Sequence, residues 1–270
     1  MGPAFAVGCT AVVKPSELTP LTALYMQQLA LEAGFPKGVL EMVTPDTTNT
    51  PAVGQTFCHS PNIRKLSFTG STAVGKTLMR QSSETMQRLS LELGGNAVFM
   101  VFEDANLDQA VQAAVAAKFR NAGQTCVCAD RFLVHERVHD EFVARLQARI
   151  DAFVVGPGLD PNTTMGPLIT SQAVQSVSNK VDQAVAGGAV CVTGGTKLSD
   201  VGPNFYAPTI LTHVDPSMSI WSTETFGPVA AIKSFGSEEE AVAIANDSRV
   251  GLASYFCTQD LARAFRVSQR

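Results

Sequence analysis

The chain has 270 residues, of which 45% are hydrophobic and 16% charged, enough to bury a sizeable core and too apolar for a disordered tail. Twenty Lys+Arg against 24 Asp+Glu leave a formal charge of −4, which gives no basic field for nucleic acid. No apolar run approaches the roughly 20 residues of a membrane helix, and residues 1–9 lack the basic and apolar regions of a secretory signal.

Residues 9–13 (Cys-Thr-Ala-Val-Val) read as a short buried strand that Lys14-Pro15 interrupts. Thr19-Pro20 then starts a helix carrying Leu21, Leu24, Tyr25 and Leu29. Proline is placed at its first helical position, where the missing N–H costs nothing, and Gly34 ends it. A strand over 39–43 follows, then a Thr/Pro/Asn-rich loop, a helix near 53–57, a strand over 65–69 and a helix over 72–84. Leu89, Leu91 and Leu93 alternate with Ser90 and Glu92, a strand with one apolar face and one face presenting a carboxylate.

Beyond Gly94-Gly95, strands are predicted over 97–102, 131–134, 190–193, 209–214 and 229–235. Helices are predicted over 106–120, from about 138 to 150, over 173–186 and over 238–246. Strands alternating with helices imply parallel β-α-β units with right-handed crossovers, hence an α/β fold of doubly wound, mostly parallel sheets. The expected boundary at the two glycines divides the chain into 1–94 and 95–270. No internal repeat or low-complexity segment is present.

Six cysteines, at 9, 58, 126, 128, 191 and 257, show neither dense spacing nor a C-x-x-C pair, and the four histidines do not cluster with them. A thiolate metal site is therefore not expected. Gly70-Ser-Thr-Ala-Val-Gly75-Lys76-Thr77 matches the P-loop string and follows a strand, and Glu103-Asp104 after the 98–102 run could hold Mg²⁺. A nucleotide hydrolase is thus one reading, and a glycine needed only for close strand–helix packing is the other. His135-Glu-Arg-Val-His139 matches the zinc-protease string, but that chemistry needs both histidines on one continuous helix. Here they straddle a predicted strand–helix junction.

Asn121-Ala-Gly-Gln-Thr-Cys126 places a cysteine after a small, polar, flexible segment, where a thiol is reachable and can be activated. Glu92, beside two glycines, could act as a general base if burial raises its pKa. Each also has a plain alternative: Cys126 as a small packed hydrophobe and Glu92 as a surface charge.

Taken together, five stretches resemble the NAD(P)-dependent aldehyde dehydrogenase family. They are Gly8-Cys-Thr-Ala-Val-Val-Lys-Pro-Ser-Glu17, Phe68-Thr-Gly-Ser-Thr-Ala-Val-Gly75, Leu91-Glu-Leu-Gly-Gly95, Phe119-Arg-Asn-Ala-Gly-Gln-Thr-Cys126 and Glu224-Thr-Phe-Gly-Pro228. Their order along the chain is the family's. Lys118-Phe-Arg-Asn-Ala-Gly-Gln-Thr-Cys-Val-Cys128 resembles the succinate-semialdehyde branch, with Tyr255-Phe256 and Gly166-Pro-Leu-Ile169 in agreement.

The resemblance implies oxidation of a small-molecule aldehyde. Cys126 would attack the carbonyl to give a thiohemiacetal whose hydride passes to the nicotinamide, and Glu92 would activate water to hydrolyse the thioester. Lys14, Ser16 and Glu17 match residues around the adenosine ribose. Gly70, Ser71 and Gly75 match the turn under the pyrophosphate, and Glu224 and Phe226 match the residues that place the nicotinamide end. A carboxylate at Glu17 would repel a 2′-phosphate, which favours NAD over NADP. Arg120 matches the position that holds a distal substrate carboxylate, its plain alternative being a charge complementing a helix dipole. Cys126 and Cys128 would form the branch's reversible disulfide, or Cys128 is simply packed.

The family's pattern extends beyond both ends of this sequence, upstream to an asparagine that donates to the oxyanion. The chain is therefore expected to be a central fragment, truncated at both termini. An oxyanion donor is typically worth about 10²–10³ in rate, so by itself the chain is expected to be inactive and poorly soluble. Robust NADH formation from succinate semialdehyde would refute that. A non-catalytic role beside full-length subunits is a further alternative. For the full-length enzyme the resemblance implies a homo-oligomer in the cytoplasm or mitochondrial matrix.

Overall fold

The computed structural model describes all of residues 1–270, in two compact units, Met1–Leu93 and Gly94–Arg270. The division falls one residue ahead of the expected one.

In the first unit, α1 (Gly2–Ala6) and β1 (Ala11–Val13) precede α2 (Leu21–Glu32), β2 (Leu40–Met42) and α3 (Thr50–His59). β3 (Lys65–Thr69), α4 (Thr72–Ser82), a 3₁₀ turn (Ser83–Thr85) and β4 (Arg88–Glu92) follow. β1 pairs β2 and β3 pairs β4, both in parallel, so each pair is a β-α-β unit. Pro20 sits one position earlier than predicted, as the N-cap of α2 (φ −78°, ψ −23°), and Gly34 at φ +91° lies just beyond its end.

The apolar residues of α2 are not buried. Leu21, Leu24, Tyr25, Met26, Leu29 and Leu31 are all exposed. Helix α2 spreads these apolar residues among Thr22, Gln27, Gln28 and Glu32 without one apolar stripe, and the hydrophobic side chains buried in this unit are only Leu40, Cys58 and Leu78.

The second unit carries a six-stranded sheet in the order β10-β5-β6-β9-β8-β7. In chain order its elements are β5 (Ala97–Val101), α5 (Leu107–Lys118), a 3₁₀ turn (Arg120–Gly123), β6 (Ala129–His135), α6 (His139–Asp151) and α7 (Ser171–Ala186). Then come β7 (Val190–Thr193), β8 (Thr209–Thr212), α8 (Ser219–Ser222), β9 (Val229–Phe235), α9 (Glu238–Asn246), β10 (Ser254–Cys257) and α10 (Leu261–Ser268).

Alternate residues of the buried strands face opposite layers. Phe99, Val101, Phe132, Val134 and Ile232 pack with Ala110, Val111 and Ala114 of α5 and with Phe142, Leu146 and Ile150 of α6. Val98, Met100, Leu133, Val229 and Ala231 pack with Val174, Val177 and Val181 of α7, with α8 and α9, and with Val267 of α10. Helices thus cover both faces, the doubly wound arrangement expected.

The sheets are mostly parallel, as expected; the one antiparallel strand pairing is that of β7 with β8. Residues 194–208 between them contain no helix and turn instead at Gly194, Gly195 and Gly202, all at positive φ. Without a helical crossover the chain returns antiparallel, at the sheet edge. Helices α1 and α8 and strand β10 were not predicted; each spans only four or five residues, where periodicity alone does not separate strand from helix.

Phe142 of α6 is 0% exposed. Phe142→Ala is expected to lower unfolding stability by about 3–5 kcal/mol in chemical denaturation; a loss below about 1 kcal/mol would mean that this layer collapses around the gap.

Candidate active site

In the first unit the predicted residues gather after the carboxyl ends of parallel strands, the usual ligand side of an open α/β sheet. Lys14, Ser16 and Glu17 follow β1. The Lys14 ammonium donates to Glu17 Oε2 at 3.2 Å, and hydrogen bonds from the backbone and from Lys14 hold the Glu17 carboxyl below its ordinary pKa. Glu17 therefore presents an ionised carboxylate paired with the Lys14 ammonium, not a bare anion.

Gly70 and Ser71 link β3 to α4, and the Gly70 N–H donates to the Glu92 carbonyl at 3.0 Å. Glu92, exposed, thus ends β4 beside this turn. The Ser71 hydroxyl caps α4 by accepting from Val74 N at 3.4 Å. The N–H groups of Thr72 and Ala73, in the first turn, have no intrahelical partner and suit an anion. Gly75 plays another part: it is buried, and a Cβ there would meet Leu93 Cδ2 at 2.6 Å, so it serves helix–strand packing.

In the second unit three motif segments lead into adjacent parallel strands: Gly94-Gly95 into β5, the thiol loop into β6, and Glu224–Pro228 into β9. They therefore meet at the amino ends of the strands, opposite to the usual side. Their backbones touch. A Cβ on Gly95 would overlap the Cys126 carbonyl oxygen, and one on Gly123 would overlap the Gly227 carbonyl oxygen. Asn121, Ala122 and Gly123 are all left-handed, at φ 53°, 53° and 76°. Such backbone costs energy at Ala122 and clusters at functional loops.

Side chains fix this loop from four directions. Gln124 Oε1 accepts from Ile169 N at 2.8 Å, and its Nε2 donates to the Pro167 carbonyl at 3.3 Å. Tyr255 OH donates to the Val127 carbonyl at 2.8 Å. The Cys128 thiol lies 2.8 Å from the Thr125 hydroxyl and is buried. Lys118 Nζ meets Asp130 Oδ1 at 2.7 Å. Cys126 itself is partly exposed, free, and has no hydrogen-bond partner at sulfur, and the exposed Arg120 has no ion pair.

Glu224 Oε1 accepts from Gly95 N at 3.0 Å, and a Cβ at Gly94 would meet Oε2 at 2.6 Å. Burial pushes the Glu224 carboxyl above its ordinary pKa, opposed by the Gly95 N–H. Phe226 is exposed at φ +50°.

Two motif readings fail on geometry. Helix α4 begins two residues after β3, so the stretch that would have to cradle phosphates as a loop is already helical, with Gly75 N donating to Ser71 O at 3.0 Å. The acidic pair is also occupied: Asp104 accepts from Thr258 Oγ1, Gln259 N and Asp260 N and pairs with Arg263 at 2.7 Å, while Glu103 pairs with Arg263 at 2.8 Å. The geometry gives the hydrolase alternative no support. His135 ends β6 and His139 opens α6, so the two histidines share no helix face.

Sequence reasoning missed Lys118, Asp130, Thr125 and Lys180. A lysine closing an alanine-rich helix and an aspartate inside an apolar strand were the only signals.

The aldehyde dehydrogenase family model matches residues 1–270, and the chain belongs to that family. It is 50% identical over 266 residues to the succinate-semialdehyde dehydrogenase [NADP(+)] of Saccharomyces cerevisiae, covering 98% of this chain and 53% of the relative. It is 50% identical over 271 residues to the mitochondrial succinate-semialdehyde dehydrogenase of Rattus norvegicus, covering 100% and 52%. A solved succinate-semialdehyde dehydrogenase from Burkholderia pseudomallei superposes with a TM-score of 0.96 at 51% identity, over 99% of this chain and 55% of that one. The chain spans about half the length of the curated relatives it matches.

Proposed function

We propose that this chain carries the thiol and the base of an aldehyde-oxidising site whose substrate is succinate semialdehyde. Cys126 attacks the aldehyde carbon as thiolate, and the proton lost from sulfur is balanced by one gained at the carbonyl oxygen of the thiohemiacetal. After oxidation, Glu92, which is exposed in this chain and so lacks the burial on which its role as base is predicated, takes a proton from water as it adds to the thioester, and succinate leaves as the Cys126 thiolate is released. The observation that carries this reading is the Cys126 loop, pinned by backbone contact and four side chains while its own sulfur stays uncommitted.

NAD or NADP, when bound, supplies the hydride acceptor. The residues suit such a dinucleotide: free first-turn N–H groups at α4 for the pyrophosphate, Lys14, Ser16 and Glu17 for the adenosine ribose, and Glu224 and Phe226 for the nicotinamide end. The expectation that Glu17 disfavours NADP is withdrawn. Its charge is offset by Lys14 at 3.2 Å, and the yeast relative is named for NADP(+).

Arg120 holds the distal carboxylate of the substrate, supported by its exposure and lack of any ion pair. Cys128, two residues from the nucleophile, remains the partner for reversible oxidation: peroxide converts the Cys126 thiolate to sulfenic acid, and condensation with the Cys128 thiol releases water. The exposed apolar side chains of α2 support the expectation that the chain expressed alone is poorly soluble and self-associates, which size-exclusion chromatography reads directly; the chain alone is expected to be inactive. The rat relative's mitochondrial name supports a mitochondrial location, with cytoplasm the alternative.

The test follows alkylation of Cys126 by iodoacetamide, mapped by peptide mass spectrometry, with and without aldehyde. Succinate semialdehyde should protect Cys126 by forming the thiohemiacetal. Arg120→Leu is expected to raise the half-protecting concentration of succinate semialdehyde roughly 10–100-fold, the worth of a charge-assisted contact, and to leave protection by uncharged butanal within about twofold. Equal losses for both aldehydes would remove Arg120 from substrate binding, and absence of protection by either would overturn the site.

A further inference from the structure

We infer that Lys118 and Asp130 are positioning residues that close the Cys126 loop and lock it to the segment carrying Glu224; this rests on the function proposed above. Lys118 is the last residue of α5 and Asp130 the second of β6, and the loop with Cys126 runs between them. Their side chains are 0% and 3% exposed, with Nζ and Oδ1 2.7 Å apart. The second aspartate oxygen accepts from Thr225 N at 3.3 Å, the residue between Glu224 and Phe226. From α7, Lys180 Nζ donates to the Glu224 carbonyl at 2.5 Å, and burial lowers its pKa. One carboxylate thus holds both ends of the thiol loop and the neighbouring strand entry.

Stability alone does not account for the pair. Two charges taken from water regain little net free energy by pairing, and well-packed apolar residues of similar volume often replace them without loss. Leucine or methionine would serve at the end of an alanine-rich helix. What an apolar pair cannot supply is the directed acceptor for Thr225 N–H, so the geometry points to placement of the two site segments relative to each other. Lys118 O also accepts from the Cys128 thiol at 3.7 Å, which ties the same residue to the loop's far side.

The test compares the intact chain with Lys118→Met, with the double variant Lys118→Met/Asp130→Leu and with Asp130→Asn. Its readouts are melting temperature, the rate of Cys126 alkylation and the half-protecting aldehyde concentration. Lys118→Met strands a buried carboxylate and should lower the melting temperature. The double variant should regain most of that temperature yet need at least about 10-fold more aldehyde for half-protection, because Thr225 N–H has lost its acceptor. Asp130→Asn keeps an acceptor oxygen and should stay within about threefold of the parent. A double variant that protects like the parent would overturn the proposal, as would Asp130→Asn losing as much as the double variant. If aldehyde protects no form at all, the functional reading has failed, and the alkylation rate decides the positioning: at least a threefold change in the double variant supports it, and no change overturns it.

Discussion

If the proposed reading holds, Cys126→Ala is expected to lower any NAD(P)H formation from succinate semialdehyde measurable with the parent chain at high protein concentration by at least roughly 10³-fold. Removing a covalent nucleophile forces hydride loss from a planar aldehyde or its hydrate, and loss of such a group from a unit of catalytic residues typically costs several powers of ten. Absorbance at 340 nm reads the rate, and unchanged melting temperature separates chemistry from folding, since Cys126 is only partly buried and packs no core. Retention of more than a tenth of the parent rate would place the chemistry on another residue.

Gly123→Ala is expected to disable the same loop without touching any reacting atom. Gly123 sits at φ +76°, and an added Cβ would overlap the Gly227 carbonyl oxygen and lie 3.1 Å from Pro228 N. Both obstacles are backbone, so no side chain can swing aside. Left-handed strain for alanine and forced overpacking together amount to roughly 2–5 kcal/mol. The protein can meet that cost by unfolding earlier or by moving the loop. A drop in melting temperature, a loss of aldehyde protection at Cys126, or both should follow. Gly158→Ala, where nothing lies within 4 Å of the added carbon, is the matched control and should be near neutral. Gly123→Ala behaving like the control would mean that the loop is not held against Gly227.

Much of the secondary structure was legible because its causes are local. β3, β7, β9 and α9 occupy the residues predicted for them, and Ser237 caps α9 by accepting from Glu240 N, an interaction within four residues. The helix-dipole reading of Arg120 and the packing reading of Gly75 were equally local. Gly75 does pack against Leu93, so the letters of a phosphate loop were present in a stretch that the chain folds as helix. A string of residue types fixes which groups exist. It does not fix which backbone N–H groups remain free once the helix has formed.

The alternation of strands and helices and the order of the family's motifs were legible in the amino-acid sequence, which also nominated Cys126, Glu92 and Arg120 as the candidate thiol, base and carboxylate-binding guanidinium. Only the tertiary structure decided that the thiol loop, Gly94-Gly95 and Glu224–Pro228 meet at the amino ends of neighbouring strands, because that depends on the sheet order β5-β6-β9. It alone decided that β7 turns back antiparallel, and that a lysine and an aspartate 12 residues apart are buried against each other at 2.7 Å. Periodicity reports how one segment presents its faces to an interior. Which segment lies opposite is set by packing across the whole sheet, where burial makes an unpaired charge costly and selects the partner that satisfies it.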